Sequence, residues 1–235
     1  MNAPTGPWIE LGEVESTQLV AADLVRNGEP AAAVFAWHQS AGKGRFGRAW
    51  HSDPGESLTF TLIFRDYADH PKPYLVGMSC ALAAAGALHT QVRWPNDLVI
   101  GDKKVGGILT ELIKDGEGRS IPVVGIGINL NQTEFPEPID GIATSLHLAH
   151  GSTYDAATVA QQIVKRLSLL PDANDWSDLA PVWDAFDRTP GKLYRLANGD
   201  LAVAMGVGSE GQLICAVDGE SQVVFAAEAL FGDAR

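Results

Sequence analysis

Cysteine is scarce in this chain. Cys80 and Cys215 are the only two among 235 residues. They lie far apart in apolar surroundings. That excludes a disulfide framework and reads as two buried free thiols in a reducing compartment. Long apolar runs are lacking too. The most apolar stretch, 75–88, is interrupted by Gly77, Ser79, Cys80 and Gly86. It never reaches the run of about 18 residues that a membrane helix needs. The opening residues, Met1-Asn2-Ala3-Pro4-Thr5-Gly6-Pro7, carry no basic segment followed by an apolar one. A secretory signal is therefore not expected, and the cytoplasm is the expected location. Positive charge is in deficit: 17 Lys and Arg against 29 Asp and Glu give a net charge of -12. A field of that sign repels nucleic acid and anionic membranes, so neither is expected as a partner. Metal ligands are sparse. His147 and His150 stand at i, i+3 without a third ligand nearby, and no resident metal is expected. A nucleophile is missing as well, because Ser79 lies inside an apolar helical stretch rather than on a strand-to-helix elbow.

What is present describes a globular chain. Apolar residues make up 46% and charged residues 20%, which excludes wholesale disorder. Glu15-Ser16-Thr17-Gln18 precedes Leu19, Val20, Leu24 and Val25, and Asn27-Gly28 follows; this predicts a capped helix with a glycine stop. Strands are predicted over 31–37, 58–64, 91–94, 98–100, 105–113 and 121–130. Helices are predicted over 73–88, 158–170 and 176–186, with loops at 40–56 and 131–141. From Gly191 the texture changes. Strands at 193–196, 201–207, 213–217 and 223–226 are separated by Asn198-Gly199, Ser209-Glu210-Gly211 and Asp218-Gly219. That spacing predicts a small antiparallel barrel. The class is α+β: a mixed sheet packed with helices over 1–188, then a β domain over 189–235.

The cations are concentrated. Residues 43–48 and 93–104 hold Lys43, Arg45, Arg48, Arg93, Lys103 and Lys104, six of the 17 Lys and Arg. On an acidic protein, cations gathered in glycine-containing segments point to a local anion site. The first segment, Ser40 to Trp50, contains G-x-G-x-x-G at Gly42, Gly44 and Gly47. No helix is expected after it, so neither a dinucleotide fold nor a Walker A loop fits. A tri-basic loop remains, open to close approach by a phosphate or a carboxylate, with a solvated basic turn as the competing reading. Arg93-Trp94-Pro95-Asn96-Asp97 sets an amide and a carboxylate between two strands; a capped turn would look the same. Lys103-Lys104-Val105-Gly106-Gly107 puts a lysine beside a bare sheet face, and Gly125-Ile126-Gly127-Ile128-Asn129 alternates glycine along a strand. Glycine inside a strand marks close approach of a ligand or another backbone.

In this order, with Glu15-Ser16-Thr17-Gln18 upstream, the segments resemble the biotin protein ligases, that is, biotin–[biotin carboxyl carrier protein] ligases. The resemblance runs from about residue 13 to about residue 230. It is carried by His38 to Trp50, Arg93 to Asp97, Lys103 to Glu111 and Gly125 to Asn129. Two positions depart from the usual pattern. Lys43 and Arg93 stand where the family usually has Arg and Lys, and both keep the charge.

The resemblance implies a seven-stranded mixed sheet and a C-terminal SH3-like barrel. With its first motif at residue 13, it implies the monofunctional type without an N-terminal DNA-binding domain. The implied activity joins biotin and ATP, brought with Mg²⁺, into biotinyl-5′-adenylate. Biotin then passes to a lysine of a biotin carboxyl carrier domain of acetyl-CoA carboxylase or a related enzyme. A monomer or a homodimer is compatible. By resemblance, Lys104 with Arg45 and Asp97 forms the catalytic group. Ser16, Thr17, Gln18, Gln39, Lys43, Gly44, Arg45 and Lys104 hold biotin. Gly42, Lys43, Arg45, Arg48, Trp50, Asn96, Lys104 and Asn129 hold ATP and the adenylate, with Mg²⁺ near Asp97. Two alternatives are a lipoate or octanoate ligase or transferase of the same fold, and a non-enzymatic biotin-binding regulatory module. Neither cysteine is placed as an acyl carrier, which disfavours the octanoyl reading.

Overall fold

The computed structural model describes residues 1–137 and 139–231. Its elements run β1 (Trp8–Val14), α1 (Thr17–Arg26), β2 (Ala33–Gln39), β3 (Gly42–Lys43), β4 (Ala49–Trp50), β5 (Ser57–Ile63), α2 (Pro73–Leu88), β6 (Gln91–Arg93), β7 (Asp97–Ile100), β8 (Lys103–Lys114) and β9 (Ser120–Asn129). Then follow α3 (Leu146–His150), α4 (Ala156–Leu167), α5 (Trp176–Phe186), β10 (Leu193–Leu196), β11 (Leu201–Val207), β12 (Leu213–Val217), β13 (Glu220–Val224) and β14 (Ala227–Ala229). No helix among the described residues is long and apolar enough to cross a membrane.

A seven-stranded sheet has the order β1-β2-β5-β9-β8-β7-β6. It is mixed, since β1 and β2 are parallel and the other neighbours antiparallel. Both faces are covered. On one face, Leu58, Phe60, Ile108, Ile126 and Ile128 share a core with α2, α4 and α5. On the other, α1 packs Ala21 and Val25 against Ile63, Ile121 and Val123. Burial on both faces explains why β5 is buried throughout, Thr59 and Thr61 included, although its sequence alternates in the manner of a half-exposed strand. Helix α1 starts where expected: Ser16 is the N-cap, its hydroxyl accepting from the Gln18 amide, and Gly28 takes φ +70 after the end.

The C-terminal strands form one antiparallel sheet, β13-β12-β11-β10-β14. It has two edges, β13 and β14, and among the described residues no ladder joins them into a closed barrel. The strand expected at 223–226 is in part the end of β13, which begins at Glu220 and stops at Val224, and β14 follows it. Strand β1, the β3–β4 hairpin inside the 40–56 loop, and α3 add to the predicted elements; α4 begins and ends earlier than the predicted 158–170. The two sheets meet at Trp94, 2% exposed. Its amide donates to Thr189 Oγ1 at 2.9 Å, its indole to the Gly211 carbonyl at 2.9 Å, and its carbonyl accepts from the Tyr194 hydroxyl at 2.8 Å.

Helix α2 lies so close to β8 that a Cβ on Gly77 would fall 2.1 Å from Thr110 Oγ1. Alanine normally stabilises a helix interior over glycine, by about 1 kcal/mol. Here the clash decides the sign. Gly77→Ala is expected to destabilise by about 1–3 kcal/mol in urea melts. Adding Gly77→Ala to Thr110→Ala, where the hydroxyl is gone, should cost markedly less.

Candidate active site

The cleft begins as a change of residue size along β9. Residues alternate between faces of a strand. On the α1 face of β9, Ile121 and Val123 are followed by Gly125 and Gly127, then Asn129. The bulky pair is covered by α1, whose N-terminus ends above Gly125. Beyond it the sheet surface is bare. Gly125 pairs with Leu109 and with Thr61; Gly127 pairs with Gly107 and with Thr59. The result is a cleft of about 430 Å³.

One end is neutral and hydrogen-bonded. Gln39 Oε1 accepts from the Thr17 amide at 2.7 Å and the Thr17 hydroxyl at 2.9 Å. Gln18 Nε2 donates to the Val123 carbonyl at 3.1 Å and the Leu109 carbonyl at 3.4 Å. Gln18 Oε1 lies 2.9 Å from where a Gly125 Cβ would stand, so any larger residue there would displace the Gln18 amide. Two residues along, about 7 Å by strand geometry, the Trp50 indole lies on Gly127, its Cε2 2.6 Å from a would-be Cβ.

The other end is cationic. Lys104 Nζ pairs with Asp97 Oδ1 at 2.5 Å, the carboxylate buried and the ammonium one-third exposed. Simple alternation would turn Lys104 toward the face of Gly106, away from the cleft. A register shift intervenes: Leu98 pairs with Gly106 but Val99 with Lys104, leaving Val105 without a ladder partner. This bulge re-aims Lys104 beside Gly107, with Nζ 3.4 Å from the position of a Cβ there. On its other side the Lys104 backbone pairs with the segment 142–144. Only Gly107 of the glycine pair opens the cleft, because Gly106 packs under the Gly127 carbonyl and Leu98.

Arg45 reaches in from the loop. Its guanidinium donates to Asn96 Oδ1 at 3.1 Å and to the Ala227 carbonyl at 3.4 Å. Asn96 is itself fixed by donating to the Ile108 carbonyl at 2.6 Å. Burial pushes the Arg45 pKa down, Asp97 opposes and Arg48 adds to the fall. Arg48 pairs with Glu228 of β14. Asn129 donates to the Thr144 carbonyl at 3.0 Å. Among the described residues no cluster of three or more His, Cys, Asp or Glu could hold a metal ion.

The structure thus brings Ser16, Thr17, Gln18, Gln39, Lys43, Gly44, Arg45, Arg48, Trp50, Asn96, Asp97, Lys104 and Asn129 to one cleft. Gly42 lies apart from the lining; it is buried in the β3–β4 hairpin, where a Cβ would stand 2.7 Å from the Trp50 carbonyl. The sequence reading missed Thr61, Gln132, Glu228 and Phe231, which also line the cleft. No sequence signal singles out Thr61, which alternates with Phe60 and Leu62 in the same way as Thr59. Cys80 and Cys215 are free, buried and outside the cleft, and burial pushes both thiols up, away from the reactive thiolate.

The family model of the biotin/lipoate A/B protein ligases matches residues 11–131. The bifunctional ligase/repressor BirA of Bacillus spizizenii is 39% identical over 160 residues, covering 64% of this chain and 49% of BirA. The chain therefore spans about half the length of the first curated relatives it matches. The biotin–[acetyl-CoA-carboxylase] ligase of Mycobacterium tuberculosis is 28% identical, over 94% of this chain and 88% of its own. A biotin protein ligase from Aquifex aeolicus in complex with biotin and ATP superposes with a TM-score of 0.77 at 26% identity, covering 97% of this chain and 99% of that one.

Gly127→Ala tests the packing of Trp50 on β9. Alanine suits a strand better than glycine, so stability should stay within about 1 kcal/mol of the parent. The indole must move out. Acrylamide quenching of tryptophan fluorescence should rise, and the rise should vanish in a Trp50→Phe background.

Proposed function

The chain belongs to the biotin/lipoate A/B protein ligase family, and from that premise we propose that it is a biotin protein ligase. The observation that carries the reading is the polarity of the cleft: neutral amides and hydroxyls at one end, Lys104 and Arg45 at the other. Biotin has this polarity, with a neutral ureido ring at one end and a carboxylate at the other. Lipoate and octanoate have the carboxylate but nothing for the amides to bind, and those groups would lose hydrogen bonds to water on burial. A binding module without catalysis would need no paired arginines on the phosphate side.

In the first step a biotin carboxylate oxygen attacks the α-phosphorus of ATP. The bond to the bridging oxygen of the β-phosphate breaks, and pyrophosphate leaves. The reactants are both anions, so neutralisation and alignment govern the rate. Lys104 serves as the cation between carboxylate and α-phosphate, held in line by Asp97. Arg45, steadied by Asn96, covers the same centre. Lys43 and Gly44 close over it, and Arg48 exchanges Glu228 for the departing phosphates. Trp50 and Asn129 form the adenylate wall, and Gly42 shapes the hairpin that carries Trp50. Mg²⁺ enters as part of the nucleotide substrate and meets the chain near Asp97. In the second step the amine of a carrier-domain lysine attacks the acyl carbon, the acyl–oxygen bond breaks, AMP leaves and the amine loses a proton. The partner is a biotin carboxyl carrier domain of acetyl-CoA carboxylase or a related enzyme. The reading puts the reaction in the cytoplasm, by a monomer or homodimer, with 1–188 as the ligase domain and 189–235 as its C-terminal partner.

Biotin-dependent ATP–pyrophosphate exchange, with lipoate and octanoate as controls, tests the proposal; exchange with biotin alone is expected. Lys104→Ala should slow exchange about 30- to 1,000-fold, the loss of one preorganised contact to transition-state charge. Wild-type exchange in that variant would remove Lys104 from its role.

A further inference from the structure

We infer that Thr61 is the positioning residue that holds the Thr17 hydroxyl and the Gln18 carboxamide oxygen in place at the ureido end of the cleft, an inference that rests on the biotin reading. Thr61 is fully buried on β5, in one row with Gly125 and Leu109. A buried hydroxyl must find a partner, and this one has two acceptors in reach: Thr17 Oγ1 at 2.8 Å and Gln18 Oε1 at 3.3 Å.

The directions of the neighbouring bonds follow from donor count. The Thr17 amide can only donate, and it donates to Gln39 Oε1. The Gln39 amide therefore has its oxygen turned to Thr17, and Nε2 is the end left for a ligand. The Thr17 hydroxyl gives its proton to the same oxygen. Its lone pairs then face Thr61, which supplies the donor. Gln18 is fixed in the opposite sense. Nε2 is committed to two backbone carbonyls, which can only accept. Oε1 is the end left over Gly125, beside the Thr61 hydroxyl.

The site therefore offers one donor, Gln39 Nε2, and one acceptor, Gln18 Oε1. A ureido group needs that pair: a donor for its carbonyl and an acceptor for its N–H. Among the hydrogen bonds of this end, Thr61 is the hydroxyl that reaches both the Thr17–Gln39 pair and Gln18. Without its proton, Thr17 loses its donor and is free to rotate away from Gln39. The Gln39 amide stays oriented by the Thr17 amide, but the Thr17 hydroxyl and Gln18 Oε1 lose the group that holds them in place. Thr61 touches no reacting atom, so its effect belongs in the binding of biotin and not in the chemical step.

Thr61→Val keeps the shape and β-branching and removes the proton. In biotin-dependent pyrophosphate exchange, the KM for biotin should rise about ten-fold, the worth of one hydrogen bond in a buried network. The kcat should stay within about two-fold and the KM for ATP should not change. Thr61→Ser restores the hydroxyl and should restore the KM for biotin. Desthiobiotin, which keeps the ureido ring and lacks the sulfur, should lose affinity by the same factor as biotin. Should the valine variant not fold, Thr61→Ala supplies the same comparison. An unchanged KM for biotin in a folded non-donor variant would overturn the inference. So would an equal loss in kcat, or a serine variant that fails to rescue. Absence of biotin-dependent exchange in the wild type would instead overturn the biotin reading itself.

Discussion

The cleft depends on side chains that are not there. Gly107, Gly125 and Gly127 lie in adjacent rows of β8 and β9, and each gives up the packing and chain-entropy advantage of a larger strand residue. In return, the Gln18 amide, the Trp50 indole and the Lys104 ammonium come down onto the backbone itself. At Gly125 and Gly127 a Cβ would displace the side chain above it. The bulky half of the same strand face, Ile121 and Val123, anchors α1, and so fixes the N-terminus whose Thr17 and Gln18 line the bare half. One strand thus carries both the anchor and the void, and their separation sets the scale of the ligand.

Charge follows the same economy of placement. Lys43, Arg45, Arg48 and Lys104 line the cleft of an acidic chain, and three of the four are held by a neutral or anionic partner. Lys104 has Asp97, Arg48 has Glu228, and Arg45 has an amide and a carbonyl. These partners keep the like charges together without ligand, at a cost in mutual repulsion that an incoming anion relieves.

Much of this was legible in the sequence because it rests on local chemistry. The Ser16 cap, the glycine stop at Gly28, the tri-basic loop and the alternating glycines of β9 need no knowledge of distant contacts. The rest needed the third dimension. The direction of Lys104 is set by a bulge defined against β7, and alternation alone points the side chain the wrong way. Thr61 reads as solvent-facing until α1 covers its strand. Strand β1 is an edge strand with no fully buried residue, it contains Gly12, and it pairs parallel to β2 only after the α1 crossover. Glu228 and Phe231 reach the cleft from the far end of the chain, across more than a hundred residues, a closure that no local pattern encodes.

That last closure bears on how the protein fails when heated. Strand β14 is an edge of a five-stranded sheet with a second open edge at β13. It is held by few ladder pairs, yet its residues supply the partners of both loop arginines. Opening of a domain is commonly local before it is global. Fraying of this edge would release Arg48 and leave Arg45 only its bond to Asn96 while the seven-stranded core is still intact. Heat that opens this edge alone would loosen the loop that carries Arg45 and Arg48 before the core strands separate.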